Sequence, residues 1–384
     1  LAARLARRGH EVTVYCRPGR TGRGRVPAGV TRVVLPCVRT KYLETVSHTA
    51  VSSVHALFQG FDAVLMCNAA NAIFAWIPRL GGMPVALNVD GLERNRSKWS
   101  ALGRAYCRLG ERLACFTPSH VVTDALVIQR YYRERYGVES TFIPYGTADA
   151  PDVPPPPAPD GPLRTFLVRE GGYVLYVSRL EPENHAHTVV RAFADSPSIP
   201  LRLVVTGDAP YAAEYIRRVH ALADSRTVFT GGVYGAGYHE LMSHAAIYVQ
   251  ATTVGGVHPA LVEAMGHGRA IVCADTPENR EALGDSGVYF GPGDAAALGV
   301  QLERLSSDPA LRAELGRRAR ARARRLYSWE EVASDYESLL ADLVEARRAG
   351  IPYEPRAPEV SLRGYGYRSS DRWRALPAAQ TATS

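Results

Sequence analysis

The chain alternates short buried strands with helices, and it does so twice, on either side of one proline-rich stretch. Upstream, the apolar runs at 11–16 (EVTVYC), 61–67 (FDAVLMC), 84–89 (PVALNV) and 120–123 (HVVT) read as strands separated by helical or loop segments. PDVPPPPAPDGP, at 151–162, is a stiff extended link. Downstream the pattern restarts: a strand at 173–178, a helix from about 186, a strand at 201–207, a helix at 211–223, a strand at 228–231, a helix at 237–245, a strand at 247–251, another helix, and AIVCA at 270–274. Apolar strands joined by helices are buried on both faces, so the pattern predicts an α/β chain with two doubly wound parallel sheets. Ligands of such sheets sit beyond the carboxyl ends of the strands.

The length of 384 residues, 46% of them hydrophobic, suffices for two domains with proper cores. The expected division is a first domain at 1–150, the link at 151–162, a second domain at 163–327, a helix at 328–347 and a disordered tail at 348–384. The opening LAARLARRGHEVTVYCR reads as the end of a helix feeding a strand. A truncation that removed a first strand and its loop is therefore expected. No run of 18 apolar residues occurs, so no membrane-spanning helix is expected. The six cysteines (Cys16, Cys37, Cys67, Cys107, Cys115, Cys273) include no C-x-x-C pair and several sit in apolar runs, which reads as buried, reduced, cytoplasmic thiols. Charge is uneven: residues 1–150 carry 20 Lys and Arg against 10 Asp and Glu, and the rest carry 25 against 28. A basic first half suits nucleic acid, anionic lipid or a phosphate-bearing substrate. No nucleic-acid-binding module is present, which leaves the latter two.

The segment TTVGGVHPALVEAMGHGRAIV, 252–272, carries the densest chemistry. A strand ends, Gly255 and Gly256 turn, and Pro259 opens a helix where its missing N–H costs nothing. Free amides and the helix dipole converge on that turn, a seat for a phosphate or diphosphate. Glu263, one turn in, can accept hydrogen bonds from a sugar hydroxyl beside it. His258 can bond a phosphate or sugar oxygen, or serve simply as a helix-start cap. Arg179 lies just past a strand end in YVSRLEPEN, placed to neutralise a departing diphosphate. Gly207 in VVTGD and Gly231 in FTGGVYG end two more strands and offer a slot for a flat base. In 308–326, Leu315, Ala319, Ala323 and Leu326 share a packed face, with Arg317, Arg318, Arg320, Arg322, Arg324 and Arg325 on the solvated remainder. Ser328 and Glu331 form a capping-box pattern ahead of a long amphipathic helix. In 98–116, Arg104, Arg108 and Arg112 make a stripe at i, i+4, i+8, while Leu102, Tyr106, Leu109 and Leu113 line another face. That helix is either a solvated surface or a dock for anionic lipid headgroups.

SRLEPEN, VVTGD, FTGGVYG, GGVHPALVEAMGHGRAIV and DTPENREAL resemble the nucleotide-sugar-binding half of retaining GT-B glycosyltransferases of the glycosyltransferase 4 type. GHEVTVYCR and LNVDGLERNRSKW resemble the first half of the same family, in its bacterial rhamnosyltransferase branch of cell-surface polysaccharide synthesis. The resemblance covers about 1–345. It implies a GT-B fold, with two Rossmann-like domains facing across a cleft, donor on the second, acceptor on the first, and a C-terminal crossing helix matched by 328–347. Arg179 falls on the arginine that holds the donor diphosphate. Glu263 falls on the second acid of the E-x7-E motif, which contacts the ribose. Asp90 of NVDG falls where the first domain meets the transferred sugar. Gly255 replaces the first acid of the motif, and Asn184 replaces a lysine. Both departures recur in the rhamnosyltransferase branch and suggest a different donor sugar.

The implied chemistry is sugar transfer with retention from a nucleotide diphosphate sugar, dTDP-rhamnose or a UDP-sugar, to a polysaccharide or lipid-linked acceptor, with no cofactor or metal and no nucleic-acid partner. Arg179 and the amides of Gly256 and Val257 would stabilise the leaving group, and same-face attack would let that group take the acceptor's proton. Asp90 would orient the sugar or be a turn aspartate. The enzyme would be cytoplasmic and peripheral on an anionic membrane surface. The alternatives are a non-catalytic nucleotide-sugar-binding subunit and a nucleotide-sugar epimerase of the same fold.

Overall fold

The computed structural model describes residues 1–19, 26–40, 43–96, 99–147 and 150–354. The first domain holds two parallel sheets. Strands β1 (Val12–Cys16) and β2 (Val30–Val34) pair with each other, and β3 (Val64–Cys67), β4 (Val85–Val89), β5 (His120–Thr123) and β6 (Thr141–Phe142) pair in that order. The second domain is one six-stranded parallel sheet ordered β12-β11-β10-β7-β8-β9, built from β7 (Tyr173–Val177), β8 (Arg202–Thr206), β9 (Thr227–Gly231), β10 (Ile247–Gln250), β11 (Ala270–Ala274) and β12 (Val288–Phe290). The chain lays down β7, β8 and β9 to one side, then returns to place β10 against the other edge of β7. The sheet therefore has its switch point between β7 and β10, where loops part at the carboxyl ends and leave a crevice.

The α/β, two-sheet architecture is the one the alternation predicts. β10 and β11 are buried at every residue, as strands covered by helices on both faces must be. Three strands escaped the sequence reading. In β2, VTRVV interrupts its apolar residues with a charge; β6 is two residues long and β12 three, too short to show a period.

The helix Trp329–Ala349 begins at Ser328, whose hydroxyl accepts the Glu330 amide at 3.3 Å. It crosses from the second domain to the first, where Val332, Tyr336, Leu339 and Leu343 pack with Ala86, Val122 and Ile143. Asn88 Nδ2 donates to Tyr336 Oη at 2.6 Å, and Arg8 and His10 each meet Glu337 at 2.7 Å. The helix runs to Ala349, and Tyr353 sets its ring 4.8 Å from that of His120, so the start of the expected disordered tail is ordered against the first domain. The remainder of that expectation, 355–384, lies outside the described residues. The proline-rich link is tethered to the second domain: Arg320 Nη1 meets Asp152 at 2.7 Å, His244 Nε2 meets the Pro155 carbonyl at 3.0 Å, and the Ala158 amide donates to Glu240 at 2.9 Å.

Two expectations need correction. In the helix Pro309–Leu326, Leu315, Ala319, Ala323 and Leu326 are buried as expected, but so is Arg322, which donates to the carbonyls of Glu281 and Ala282, each at 2.8 Å. Its guanidinium satisfies the end of the neighbouring helix Pro277–Leu283 and is not part of the solvated stripe. None of the six cysteines is in a disulfide, yet only Cys107 and Cys273 are buried; Cys67 ends β3 and is exposed.

Candidate active site in the interdomain cleft

Four strand ends of the second domain carry the residues singled out from the sequence, and two of them, those of β7 and β10, flank the switch point. After β7, Arg179 leaves its side chain 51% exposed, and its Nη2 lies 3.4 Å from the carboxylate of Glu181, which is itself 1% exposed. Tyr211 donates to the other oxygen of Glu181. Asn184 points back into its own turn: Nδ2 donates to the Arg179 carbonyl at 2.7 Å, and its own carbonyl accepts from Tyr176. It is buried and shapes the loop that presents Arg179. After β8, Gly207 adopts φ +138, and a Cβ there would lie 1.7 Å from the Ser178 carbonyl oxygen, so close strand approach dictates this glycine. Gly231, the last residue of β9, faces open space.

After β10 comes the glycine turn, then the helix Pro259–Gly266 with Pro259 at its first position. Glu263 accepts a hydrogen bond from the hydroxyl of Tyr238, which lies on the helix Ala236–His244. This bond orients one carboxylate oxygen. The Tyr238 hydroxyl is pushed far above its ordinary pKa, first by burial and then by the Glu263 charge, so it stays a donor. His258 sits at the N-cap with no side-chain capping bond. Burial, reinforced by the charge of Arg96, lowers its pKa to about 4, which leaves a neutral imidazole at neutral pH.

The first domain closes on this turn. The Gly256 amide donates to the Asp90 carbonyl at 3.0 Å, and Gly91, at φ +132, lies so close that a Cβ on it would meet Gly255 and Gly256 backbone atoms at 2.8–2.9 Å. A Cβ on Gly256 would in turn sit 2.3 Å from Asp124 Oδ1. Gly91 and the Gly255–Gly256 pair lack side chains because their backbones touch there, with the Asp124 carboxylate beside Gly256. The expected role of Gly256 is thereby modified: its amide is engaged by the first domain, and a diphosphate could take it only by displacing Asp90's carbonyl.

Of the residues singled out from the sequence, Asp90, Arg179, Gly255, Gly256, Val257, His258 and Glu263 lie on this cleft's two rims. Others came unforeseen. Asp124, just past β5, is 1% exposed, and neither carboxylate oxygen has a hydrogen-bond partner among the described residues. Burial, then the Asp90 charge, raises its pKa well above the usual carboxylate range. The strand-end rule that found Arg179 would also have found Asp124. Arg96 pairs with Glu93 at 2.7 Å and feels the charges of Asp90 and Glu181, so a first-domain cation reaches the second domain's rim. No cluster of metal-binding side chains occurs among the described residues.

Residues 1–146 match the family model described as "Glycosyl transferase 4-like domain", and residues 171–308 match "Glycosyl transferases group 1". Together these matches span both domains and most of the chain. The chain has the fold of the GT-B glycosyltransferases. Over 215 residues it is 29% identical to a phosphatidyl-myo-inositol mannosyltransferase of Mycolicibacterium smegmatis, covering 54% of this chain and 53% of that protein. Over 206 residues it is 23% identical to an O-antigen chain mannosyltransferase B of Escherichia coli, covering 52% and 51%. The chain thus spans about half the length of these curated relatives. Its fold matches that of sucrose-phosphate synthase from Thermosynechococcus elongatus, with a TM-score of 0.75, 20% identity and coverage of 90% and 92%. It also matches Anabaena HepE in complex with UDP-glucose, with a TM-score of 0.66, 17% identity and coverage of 82% and 86%.

The arginine stripe lies on the helix Ala101–Leu113. Arg104, Arg108 and Arg112 are exposed, and Arg104 donates to the Trp99 carbonyl at 2.7 Å. The buried face is not the one lined by Leu102, Tyr106, Leu109 and Leu113. It consists of Cys107, Gly110 and Glu111, because a Cβ on Gly110 would meet Ala69 and Ala70 backbone at 2.9 Å and the segments must pack closely. Glu111 accepts from Arg94, Tyr131 and Tyr136. Leu102 and Leu109 are left exposed beside the arginines, and Phe116 follows at 65% exposure. No helix among the described residues is long and apolar enough to cross a membrane.

Proposed function

We propose that this chain transfers a hexose, with retention, from a nucleotide diphosphate sugar to a polysaccharide or lipid-linked acceptor at an anionic membrane surface. One observation carries the reading. The Gly255–Gly256 turn after β10 touches Asp90, Gly91 and Asp124 of the first domain, Glu263 lies on the helix that this turn opens, and Arg179 follows β7, the strand beside β10. The C1–oxygen bond to the diphosphate breaks as the acceptor oxygen attacks C1 from the same face, and the acceptor's proton passes to the departing diphosphate. Arg179 neutralises charge on that group, Glu263 accepts from a ribose hydroxyl, and Gly207 and Gly231 border the base. Asp90 would orient the sugar or stabilise a developing ring cation. No cofactor or metal is part of this scheme. The donor is dTDP-rhamnose in the reading drawn from the rhamnosyltransferase resemblance; the mannosyltransferase relatives and the UDP-glucose complex of Anabaena HepE add a mannose and a glucose donor to the screen.

The engaged Gly256 amide favours a second reading, a subunit that binds nucleotide sugar without turnover. Nucleotide release from each donor, measured with and without lipid-linked acceptor, separates the two. Release that requires acceptor supports the transferase; binding without release in any combination supports the subunit.

A further inference from the structure

His185 stands at the switch point without a part in the scheme above. It follows the Asn184 turn in a left-handed conformation, φ 58 and ψ 31, an unusual posture for a side chain larger than glycine or asparagine. That posture places its ring among three strand-end loops. Nε2 lies 3.3 Å from Thr253 Oγ1 in the β10 loop, and Nδ1 lies 3.3 Å from Thr188 Oγ1 on its own helix. A Cβ on Gly293, beyond β12, would come within 3.6 Å of its Cε1. Both ring bonds are at the long end of the hydrogen-bond range and go to hydroxyls that can give or accept. The ring stacks on His187 at 5.5 Å and 28°, and His187 Nδ1 is held by Tyr215 Oη at 2.8 Å. The Tyr215 hydroxyl also accepts the His187 amide at 3.3 Å, so the start of the helix Ala186–Ala194 is partly covered and the ring is the group presented to the loop.

Resting on the donor-site reading, we propose that His185 is a contact for the donor's diphosphate, reaching it beside Thr253 at the β7–β10 crevice and taking up a proton from solvent as the donor binds. The charges around it suit this. Burial, then the neighbouring His187, lowers the pKa of His185, with Glu183 in its own turn opposing. Arg218, behind His187, lowers that ring too, after burial. The loops beyond β10 and β12 contribute uncharged Thr253 and Gly293, while Asp294 is occupied capping the Ala297 amide at 2.9 Å. The free site therefore holds a neutral imidazole near pH 7, and an arriving diphosphate reverses the balance in favour of imidazolium.

The test is calorimetric binding of UDP-glucose, a GDP-mannose and dTDP-rhamnose, whose doubly substituted diphosphates do not titrate between pH 6 and 8. Each is measured at both pH values in two buffers of different ionisation heat. The wild-type chain should take up a fraction of a proton per donor bound and bind more weakly at pH 8. His185→Asn and His185→Gly both tolerate the left-handed backbone; each should abolish the uptake and weaken binding about tenfold, the worth of one charge-assisted hydrogen bond. Proton uptake that persists in His185→Asn, or affinity equal to wild type, overturns the proposal while leaving the donor site intact. A wild-type chain that binds none of the three donors overturns the donor-site reading itself, and the proposal with it.

Discussion

Single side chains in the cleft divide into those that would meet the donor and those that hold the two domains in contact. In the proposed scheme Glu263 belongs to the first group, with Tyr238 donating to one of its carboxylate oxygens. Glu263→Ala should weaken donor binding tenfold or more, whereas Tyr238→Phe, which loosens the carboxylate without removing it, should cost less. Calorimetry on both variants decides; equal affinity of Glu263→Ala and wild type would remove Glu263 from the site. Gly256 belongs to the second group. A methyl there collides with Asp124 Oδ1 at 2.3 Å, so Gly256→Ala should destabilise the chain by about 1–3 kcal/mol. Because the colliding atom is a side-chain oxygen, Asp124→Ala in the same chain should recover most of that loss. A thermal-melt double-mutant cycle reads the coupling, and additive losses would mean that the contact does not form in solution.

Between elements, the interdomain clasp is a carboxylate on the start of a helix. Glu281, on the helix Pro277–Leu283, accepts the Leu126 amide at 2.7 Å and the Val127 amide at 2.9 Å, where the helix Leu126–Tyr136 of the other domain begins. Burial dominates the favourable helix end and lifts its pKa to about 7 from 4.5. A carboxyl with a folded-state pKa above its unfolded value favours the folded state most below the unfolded value, and that contribution is lost as pH rises through about 7. The Glu281 contribution should thus decline between pH 5 and pH 8 by on the order of 3 kcal/mol. Glu281→Gln should flatten that dependence in thermal melts across the range; a mutant slope equal to wild type would assign the pH response elsewhere. None of this clasp was legible in DTPENREAL, since a buried acid and a surface acid look alike until a second domain is docked. What was legible shares one property, that its signal is local. Pro259 after Gly255–Gly256, the apolar runs of β4, β7, β10 and β11, and Ser328 at a helix start each act within a few residues. Arg322 was misplaced because its partners are backbone carbonyls, whose positions the sequence pattern does not show.

Across the whole molecule, charge and exposed apolar surface concentrate in the same domain. The excess of Lys and Arg falls within 1–150, and so do most of the large exposed apolar side chains, among them Phe58, Trp76, Leu80, Leu102, Leu109 and Phe116. Arg79 Nη1 donates to the Thr117 carbonyl at 2.7 Å, which ties the short helix Trp76–Leu80 to the segment just past the arginine helix. Arginines beside exposed leucines fit a surface that is negative at its face and apolar beneath. Each arginine near an anionic bilayer contributes about 1 kcal/mol, so reversing Arg104, Arg108 and Arg112 to Glu should lower affinity for vesicles containing anionic lipid by about 100-fold or more. Wild-type binding should weaken with salt as the Debye length shortens, and the triple variant should show little such dependence. Vesicle flotation at two ionic strengths measures both effects. Because these arginines lie on a first-domain helix and not on the switch-point rim, donor affinity of the same variant should stay at the wild-type value. A variant that floats like wild type would place the membrane contact on another face, and one that loses donor binding as well would show that the helix Ala101–Leu113 supports the cleft.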